Sequence, residues 1–500
     1  MRPEHPSVEA FLDVALPPEA RGNVLFVSYT QWGFALAALA DVATAVHRLG
    51  AGLTLAFWTA HTPLRDTGWS ASRLLGRVTG APARDQRALA ALLAAGIPGD
   101  AVAAPPLRRW RPSEPIEVTG PMNRSAIRKL EFHGSPMGRA ILNVLPETLT
   151  PTTDSFYWPR RWVRACARSY AWSYDQTAAL IRERGITAVV VYNGRFLHDR
   201  AASAAAQDAG IPVLYYDTGG LDTDYDLTDS VTHDWRDLQR RMLAMYQSWP
   251  PDERDALGGS WFEERRRHVA PDNSLFTEVQ EIGATIQRPD AERVVVYFSS
   301  SGDEIAELEL DWSRFIGDQP EALRQVAEEC RARPGYALIV RSHPHKRMKP
   351  PQDVAEWFEA VEAAEPDVHL DPHSPVDSYA RMELADIVVT YGSTTGVEAA
   401  YAGKKVIVMG PSAYDELGCA EFAGTREELS AALDGAEPGS WPGAVSYGLM
   451  MRRRGFRYAF VERDPQVGHR LGDVAFTDAK PVVLHLSDAF NRMQRWYLRR

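Results

Sequence analysis

The chain has 500 residues, of which 45% are hydrophobic and 24% charged, and this composition predicts a globular protein of two or three domains. Its net charge of -11 argues against nucleic-acid binding. Its three cysteines are too few and too widely spaced for a disulfide framework or a metal-ligand cluster. We therefore expect a reducing compartment and no metal or other cofactor. Without an apolar signal core or a run of membrane-spanning length, the sequence predicts a cytoplasmic protein.

The chain begins with a β–α–β pattern, in which a strand at 23–29 precedes a helix at 34–49 and a strand at 53–58. This pattern is typical of a doubly wound parallel sheet. The first loop has no GxGxxG sequence, which argues against a nicotinamide or flavin site. Residues 61–160 are polar and interrupted by proline, and we interpret them as an insertion of loops and short helices. The insertion either binds an acceptor substrate or is a packed surface elaboration.

Alternation of helix and strand continues to about residue 220, and we predict a first domain over 1–285. The predicted elements are a helix at 157–184, a strand at 186–192, a helix ending at 209 and a strand at 211–217. The Gly- and Asp-rich segment 218–229 is predicted to be a loop, and 230–285 to be mostly helical.

A second alternating series predicts a second parallel sheet in a domain over 286–445. Its strands are expected at 293–299, 336–342, 368–370, 387–390 and 405–409. Its helices are expected at 319–333, 353–364, 376–384, 397–402 and 425–434. A helical tail over 446–500 is expected to pack back on the first domain. Its last helix, 487–500, is basic and amphipathic, so it either packs on the body or contacts the inner face of a membrane.

Three polar loops follow strands of the second domain, at 300–304, 341–346 and 392–396. Ligands of open parallel sheets bind at the carboxyl ends of the strands, so these loops would form one crevice. Hydroxyls, backbone amides and basic side chains suit a diphosphate or phosphodiester. The candidate residues are Ser300, Ser301, Asp303, Glu304, Arg341, His343, His345, Gly392, Ser393, Thr394, Thr395 and Glu398.

Several of these residues admit two interpretations. His343 precedes a proline, which restricts it to extended geometry, and it could donate to a leaving phosphate oxygen or belong to a structural turn. Glu398 could complement the helix dipole or accept hydrogen bonds from ribose. Asp303 and Glu304 could orient donor-sugar hydroxyls or cap the next turn. The loop 392–396 is either a phosphate-binding loop or a plain turn with a hydroxyl N-cap.

The strand ends of the first domain place Asn193, Arg195 and Asp217 where a second substrate would bind if the two sheets face each other. Asp217 is the best-placed carboxylate to deprotonate an acceptor hydroxyl. His198 competes for that role, as does the carboxylate set Asp222, Asp224 and Asp226. A string of aspartates is more often a solvated loop or a weak cation site. The motifs of zinc proteases, serine hydrolases, P-loop proteins and kinases are absent.

An ordered set of motifs resembles bacterial surface-carbohydrate glycosyltransferases of the capsule polysaccharide biosynthesis type, including Kdo-transferring enzymes. The motifs are YNGR (192–195), AGIPVLYYDTGG (209–220), SSSGDE (299–304), DQ (318–319), RSHPH (341–345), VDSY (376–379), VVTYGSTTGVEAA (388–400) and Tyr414. The resemblance implies a GT-B fold of two facing Rossmann-like domains, with a C-terminal helix returning to the first and the nucleotide sugar held mainly by the second.

The His-Pro pair and the Ser/Thr doublet are also similar to bacterial sialyltransferases, which implies that His343, Ser393 and Thr394 hold the donor phosphate. The first domain departs from the family pattern at YYDTGG, where relatives often have a glutamate. The leading hypothesis is a metal-independent transferase that moves a sugar from a CMP- or UDP-sugar to a glycan, lipid-linked or small-molecule hydroxyl. The alternatives are a nucleotide-sugar 2-epimerase and a non-catalytic nucleotide- or sugar-binding protein.

Overall fold

The computed structural model describes residues 7–29, 32–57, 84–103, 110–143, 156–232, 234–270, 277–301, 307, 310–349, 351–435, 437–464 and 468–475. The chain forms two compact units. The first unit comprises the described residues of 4–145, 154–232 and 454–500, and the second unit those of 233–453. Within the described part of the chain, no helix has the length and apolarity needed to cross a bilayer. The predicted helix at 487–500 lies outside the described residues, so its membrane contact stays a prediction.

The strands are numbered in chain order. They are β1 Asn23–Ser28, β2 Gly52–Phe57, β3 Ala188–Tyr192, β4 Val213–Thr218, β5 Asp224–Thr228, β6 Arg293–Phe298, β7 Tyr336–Arg341, β8 Val368–Leu370, β9 Ile387–Thr390, β10 Lys405–Val408, β11 Glu421–Phe422, β12 Phe456–Arg457, β13 Val461–Asp464, β14 Gly468–Leu471 and β15 Val474–Ala475.

The α-helices are numbered in the same way. They are α1 Val8–Ala15, α2 Gly33–Arg48, α3 Arg84–Ala94, α4 Arg124–Arg128, α5 Met137–Asn143, α6 Arg160–Arg184, α7 Leu197–Asp208, α8 Trp235–Ser248, α9 Pro251–Arg266, α10 Gln319–Arg331, α11 Pro351–Ala364, α12 Ser378–Leu384, α13 Thr395–Tyr401, α14 Arg426–Asp434 and α15 Trp441–Arg453.

The second unit contains a six-stranded parallel sheet in the order β11-β10-β9-β6-β7-β8. Numbered from β6, this is the 3-2-1-4-5-6 order of dinucleotide-binding folds, which reverses between β6 and β9. Its central strands are buried on both faces, which explains their valine-rich sequences. Phe298, the last residue of β6, is in register with Arg341 at the end of β7 and with Thr390 at the end of β9. The loops after these three strands therefore leave from one edge of the sheet.

The first unit contains a six-stranded sheet in the order β12-β5-β4-β3-β1-β2. β1 to β4 are parallel, with the reversal between β1 and β3, and β5 and β12 are antiparallel additions. The fold is therefore α/β with two parallel-rich sheets and helices, as the alternating sequence pattern predicts. We predicted a loop over 218–229, and this is wrong for residues 224–228, which form strand β5. Tyr225 and Leu227 enter the core, and Asp224 and Asp226 are also buried instead of forming a solvated string.

The unit boundaries differ from the predicted domain boundaries. Residues 234–270 and 446–453 belong to the second unit, because α9 and α15 cross at small residues. A Cβ atom at Gly258 would lie 2.5 Å from the Val445 carbonyl oxygen, and one at Gly448 would lie 2.2 Å from the Gly258 carbonyl oxygen. Only glycine allows this approach of two helix backbones. After α15 the chain joins the first unit, where β12 pairs with β5.

The segment after β12 is fastened to α2 by one buried carboxylate. Asp41 accepts hydrogen bonds from the backbone N–H groups of Ala459 (3.0 Å), Phe460 (2.7 Å) and Val461 (2.9 Å) and from the hydroxyl of Tyr225 (3.0 Å). Burial raises the pKa of the Asp41 carboxyl, while these donors act in the opposite direction. Asp41 therefore joins an early helix to a segment more than 400 positions later.

We expect Asp41→Ala to lower the free energy of unfolding of the first unit by about 3 kcal/mol, because several buried donors lose their acceptor. Urea denaturation followed by circular dichroism measures the change. Asp13→Ala is the control, since Asp13 is mostly exposed and pairs with Arg21 at the surface. Equal stability of the two variants would contradict the role given to Asp41.

Candidate functional site

The candidate site of the second unit lies where the loops after β6, β7 and β9 leave the sheet. β6 stands between β7 and β9, so the outer two loops start about 10 Å apart. The backbone N–H of His343 donates to Ser299 Oγ at 2.8 Å, which ties the β7 loop to the β6 loop. The order reversal of the sheet falls at this edge, and that is where ligands of open α/β sheets bind.

His343 is held as a hydrogen-bond donor. Its backbone is extended (φ -63°, ψ 132°), and it caps the short 3-10 helix Pro344–Met348. The backbone N–H of His345 donates to His343 Nδ1 at 3.2 Å, so a neutral ring carries its proton on Nε2. Burial first, and then the charges of Lys346, His345 and Arg341, lower the pKa of His343 to about 3. The imidazole is therefore neutral at physiological pH and presents an N–H donor.

The loop between β9 and α13 is rigidly held. Gly392 has φ +80°, and a Cβ atom there would lie 1.8 Å from the Pro411 carbonyl oxygen, so glycine is required. Ser393 N–H donates to Thr390 Oγ1 at 2.9 Å, and Ser393 Oγ donates to Thr395 Oγ1 at 3.2 Å. Tyr414 donates its hydroxyl hydrogen to the Ser393 carbonyl oxygen at 2.5 Å. These contacts fix the hydroxyls of a loop that leaves the same sheet edge as the β6 and β7 loops.

The start of α13 and the capping of its first turn bear on whether 392–396 is a phosphate-binding loop or a plain turn. α13 begins at Thr395, two residues before the predicted start, and Thr394 occupies the N-cap position without a side-chain capping hydrogen bond. Thr394 is also exposed. Because the helix has only seven residues, its dipole adds little. Any phosphate binding here would rest on the hydroxyl and amide groups.

The remaining residues predicted for the donor site lie in the β6 and β7 loops, and most of them form hydrogen bonds or pack within the protein. Ser300 donates its N–H to Gln319 Oε1 at 2.6 Å, and the Ser301 carbonyl oxygen accepts from Lys349 Nζ at 2.9 Å. His345 is buried beside His343, with the ring centroids 6.4 Å apart. Asp303 and Glu304 lie outside the described residues. Gln319, which the sequence analysis named only within the DQ motif, fixes the β6 loop.

Two charged residues of the prediction are engaged within the protein. Glu398 Oε1 accepts from Arg265 Nε at 2.8 Å, and both side chains are buried. Arg341 is buried too, and its Nη1 donates to the Asp371 carbonyl oxygen at 2.6 Å. The dipole and ribose roles predicted for Glu398 stay predictions, and the structure shows its carboxylate paired with Arg265.

The candidate site of the first unit centres on Asp217, near the end of β4. Its Oδ2 accepts from Asn193 Nδ2, and its Oδ1 accepts from the Tyr192 hydroxyl at 3.2 Å and from the Thr218 N–H at 2.7 Å. Asn193 has φ +54° and is buried, which aims its amide at the carboxylate. Burial raises the pKa of Asp217, against the lowering effect of these donors and of Arg454. A carboxylate with a raised pKa is suited to accept a proton.

Of the competitors of Asp217, His198, Asp224 and Asp226 are buried, whereas the Asp222 side chain is 87% exposed. His198 is fully buried in α7, with its Nδ1 2.9 Å from Ser173 Oγ and its ring packed on Tyr29. Arg195 lies with its guanidinium 5.2 Å from the Phe196 ring centroid. Asp224 and Asp226 are buried in β5, where Asp226 is level with Asp217. Among the described residues, no group of three His, Cys, Asp or Glu side chains could hold a metal ion.

The lowered pKa of His343 predicts a pH dependence of stability. Below about pH 6.5 the unfolded chain protonates this histidine and the folded chain does not, so the free energy of unfolding falls as pH decreases toward 3. Because the residue is half-buried, we expect about 1 kcal/mol between pH 6.5 and 5. Urea denaturation at both pH values should show a smaller pH dependence for His343→Gln than for the wild type. Identical pH dependence would contradict the lowered pKa.

Comparisons with known proteins found low similarity. No family model matches the chain, and no curated protein matches it. The Kdo 2,7 transferase structure of Thermosulfurimonas dismutans KpsC is 17% identical and covers 55% of this chain and 80% of its own, with a TM-score of 0.33. The UDP-GlcNAc 2-epimerase of Neisseria meningitidis bound to UDP-GlcNAc is 11% identical and covers 85% and 96%, with a TM-score of 0.27. At these scores the likenesses carry no argument about activity.

Proposed function

We propose that this chain is a metal-independent glycosyltransferase that moves a sugar from a CMP- or UDP-sugar to a hydroxyl of a glycan, a lipid-linked glycan or a small molecule. The resemblance of its motifs to capsule polysaccharide enzymes favours a role in surface-carbohydrate biosynthesis. The observation that carries the proposal is the pairing of a neutral histidine donor with a hydroxyl-rich loop at the strand-order reversal of the second sheet.

In this reaction the bond between the anomeric carbon and the phosphate oxygen breaks while the acceptor oxygen bonds to the anomeric carbon. Negative charge builds on the departing phosphate. The His343 Nε2–H group and the hydroxyls of Ser393, Thr394 and Thr395 would donate hydrogen bonds to it. Donors that are already fixed in place cost no reorganisation when the charge develops. The proton of the acceptor hydroxyl would pass to the carboxylate of Asp217.

Ligand-induced stabilisation tests the donor class. We expect CMP or UDP, and the corresponding sugar nucleotides, to raise the melting temperature of the wild-type protein by mass action. Ser393→Ala should reduce the shift, whereas Ser313→Ala, a hydroxyl deletion in the 310–314 segment of the same unit, should not. An absence of any shift with CMP, UDP and GDP sugars would overturn the proposal.

Product analysis separates the transferase from its alternatives. Incubation of the donor with a panel of hydroxyl acceptors should release the nucleotide and form a glycoside. An epimerase would change the sugar of the donor without any acceptor and without releasing the nucleotide. Tight nucleotide binding with neither product would identify a binding protein.

A further inference from the structure

Arg381 is a buried cation that the proposed reaction does not use. It lies on α12, whose N-cap is Asp377, and it is 1% exposed. Its Nε, Nη1 and Nη2 atoms are all buried and have no hydrogen-bond partner among the described residues. A guanidinium carries five N–H donors and keeps its charge in proteins. The buried Arg381 guanidinium therefore lacks the acceptor oxygens that would stabilise its charge and its N–H donors.

Arg341 provides a second buried cation near the first. It ends β7 and is 2% exposed, and its charge contributes to lowering the pKa of Arg381 to about 10, after the effect of burial. Its Nη1 donates to the Asp371 carbonyl oxygen at 2.6 Å, but its Nε is buried without a partner. Burial lowers the pKa of Arg341 to about 10 as well. Both arginines thus direct unused donors into the protein interior.

The carboxylates whose charges act on this pair are Asp377, on Arg381, and Asp371, on Arg341. Asp377 Oδ1 accepts from the Tyr379 N–H at 2.9 Å and lies 3.4 Å from His268 Nε2, while its Oδ2 accepts from the Gly283 N–H at 2.8 Å. Among the described residues it forms no ion pair with either arginine. The protein treats other buried arginines differently, since Arg265 pairs with Glu398 at 2.8 Å. Among the described arginines, Arg381 is the one whose three guanidinium nitrogens are all buried without an acceptor, and Arg341 adds its Nε.

We propose that Arg381 and Arg341 form a buried oxyanion site that binds a phosphate or carboxylate group of a ligand. The guanidinium fork matches the spacing of two oxyanion oxygens, and an anion between two cations relieves both their repulsion and their missing hydrogen bonds. Arg341 precedes His343 by two residues, so the site lies at the carboxyl edge of the second sheet. It shares Arg341 with the predicted donor crevice, but any ligand with an oxyanion would satisfy it, so simple anions test it apart from the transfer reaction.

Thermal shifts with simple anions test the site on the full chain. Inorganic phosphate, pyrophosphate and glucuronate are titrated at constant ionic strength, with sodium chloride and glucose as references. We expect one of the anions to raise the melting temperature of the wild type saturably, by about 5 °C at a hundredfold excess over its dissociation constant. A response to phosphates alone identifies a phosphate site, and a response to glucuronate identifies a carboxylate site.

The matched variants are Arg381→Met, which removes the charge at similar volume, and Arg331→Met, which removes an arginine from the surface of α10. In chloride, Arg381→Met should melt no lower than the wild type, and it should lose the anion response that Arg331→Met retains. An equal anion response in all three proteins would overturn the proposal. If Arg381→Met does not fold, the absence of saturable binding of all three anions to the wild type in calorimetry overturns it. Loss of nucleotide binding with an intact anion response would count against the transferase and not against this site.

Discussion

Replacement of His343 by alanine is expected to lower the turnover number of sugar transfer by about 10²–10³-fold, the usual cost of removing one preorganised donor to a developing anion. The neutral ring donates from Nε2, because Nδ1 is occupied by the His345 N–H and burial keeps the pKa of the ring near 3. The loss should appear mainly in kcat, since the charge on the leaving phosphate develops in the transition state. Steady-state kinetics with the donor identified by thermal shift measures it.

Two further variants show whether the donor or the fold is responsible. His343→Gln keeps an N–H donor and should retain more activity than His343→Ala. His373→Ala removes an exposed histidine of the same unit and should leave kcat unchanged. Wild-type turnover in His343→Ala would remove this residue from the site.

The sheet cores could be predicted from sequence because their strands are short runs of valine, isoleucine and leucine flanked by polar turns. β9 and β8 match the predicted ranges, and β6 differs by one residue. β5 was missed, because it alternates aspartate with tyrosine and leucine after a glycine pair, a pattern typical of a loop. The helical tail predicted over 446–500 is wrong where β12 to β15 form between 456 and 475. α15 begins at Trp441, before the predicted tail, because its glycines serve the crossing with α9.

The candidate site could be predicted only where its residues follow strands directly. His343 and Ser393 were found in this way, since the carboxyl ends of parallel strands share one edge. Their partners come from other parts of the chain and leave no local signal. Glu398 pairs with Arg265, 133 positions earlier, and Tyr192 reaches Asp217 from the neighbouring strand. Arg381 lies off the helix face shared by Tyr379 and Met382, so its local sequence does not mark it as buried.

Replacement of Asp217 by asparagine is expected to lower kcat/KM for the acceptor by about 10²–10⁴-fold, the range found when a general base is removed. Asparagine has nearly the same shape, so the fold should persist, which an unchanged melting temperature would verify. Because burial raises the pKa of this carboxyl, the wild-type rate should fall as pH decreases through the raised value, where the carboxylate becomes protonated. In Asp217→Asn this acid limb should disappear.

The pH profile also tests the Asp217–Asn193 hydrogen bond, through a variant that preserves the backbone. Asn193 has φ +54°, so alanine would introduce strain, whereas Asn193→Gly removes only the amide. That amide favours the charged form of Asp217, so its loss should raise the pKa of the carboxyl and move the acid limb to higher pH. At high pH, where Asp217 is ionised in both proteins, the rates should converge. An unshifted limb would mean that the group titrating in the rate is not Asp217, because no other carboxylate accepts from this amide among the described residues.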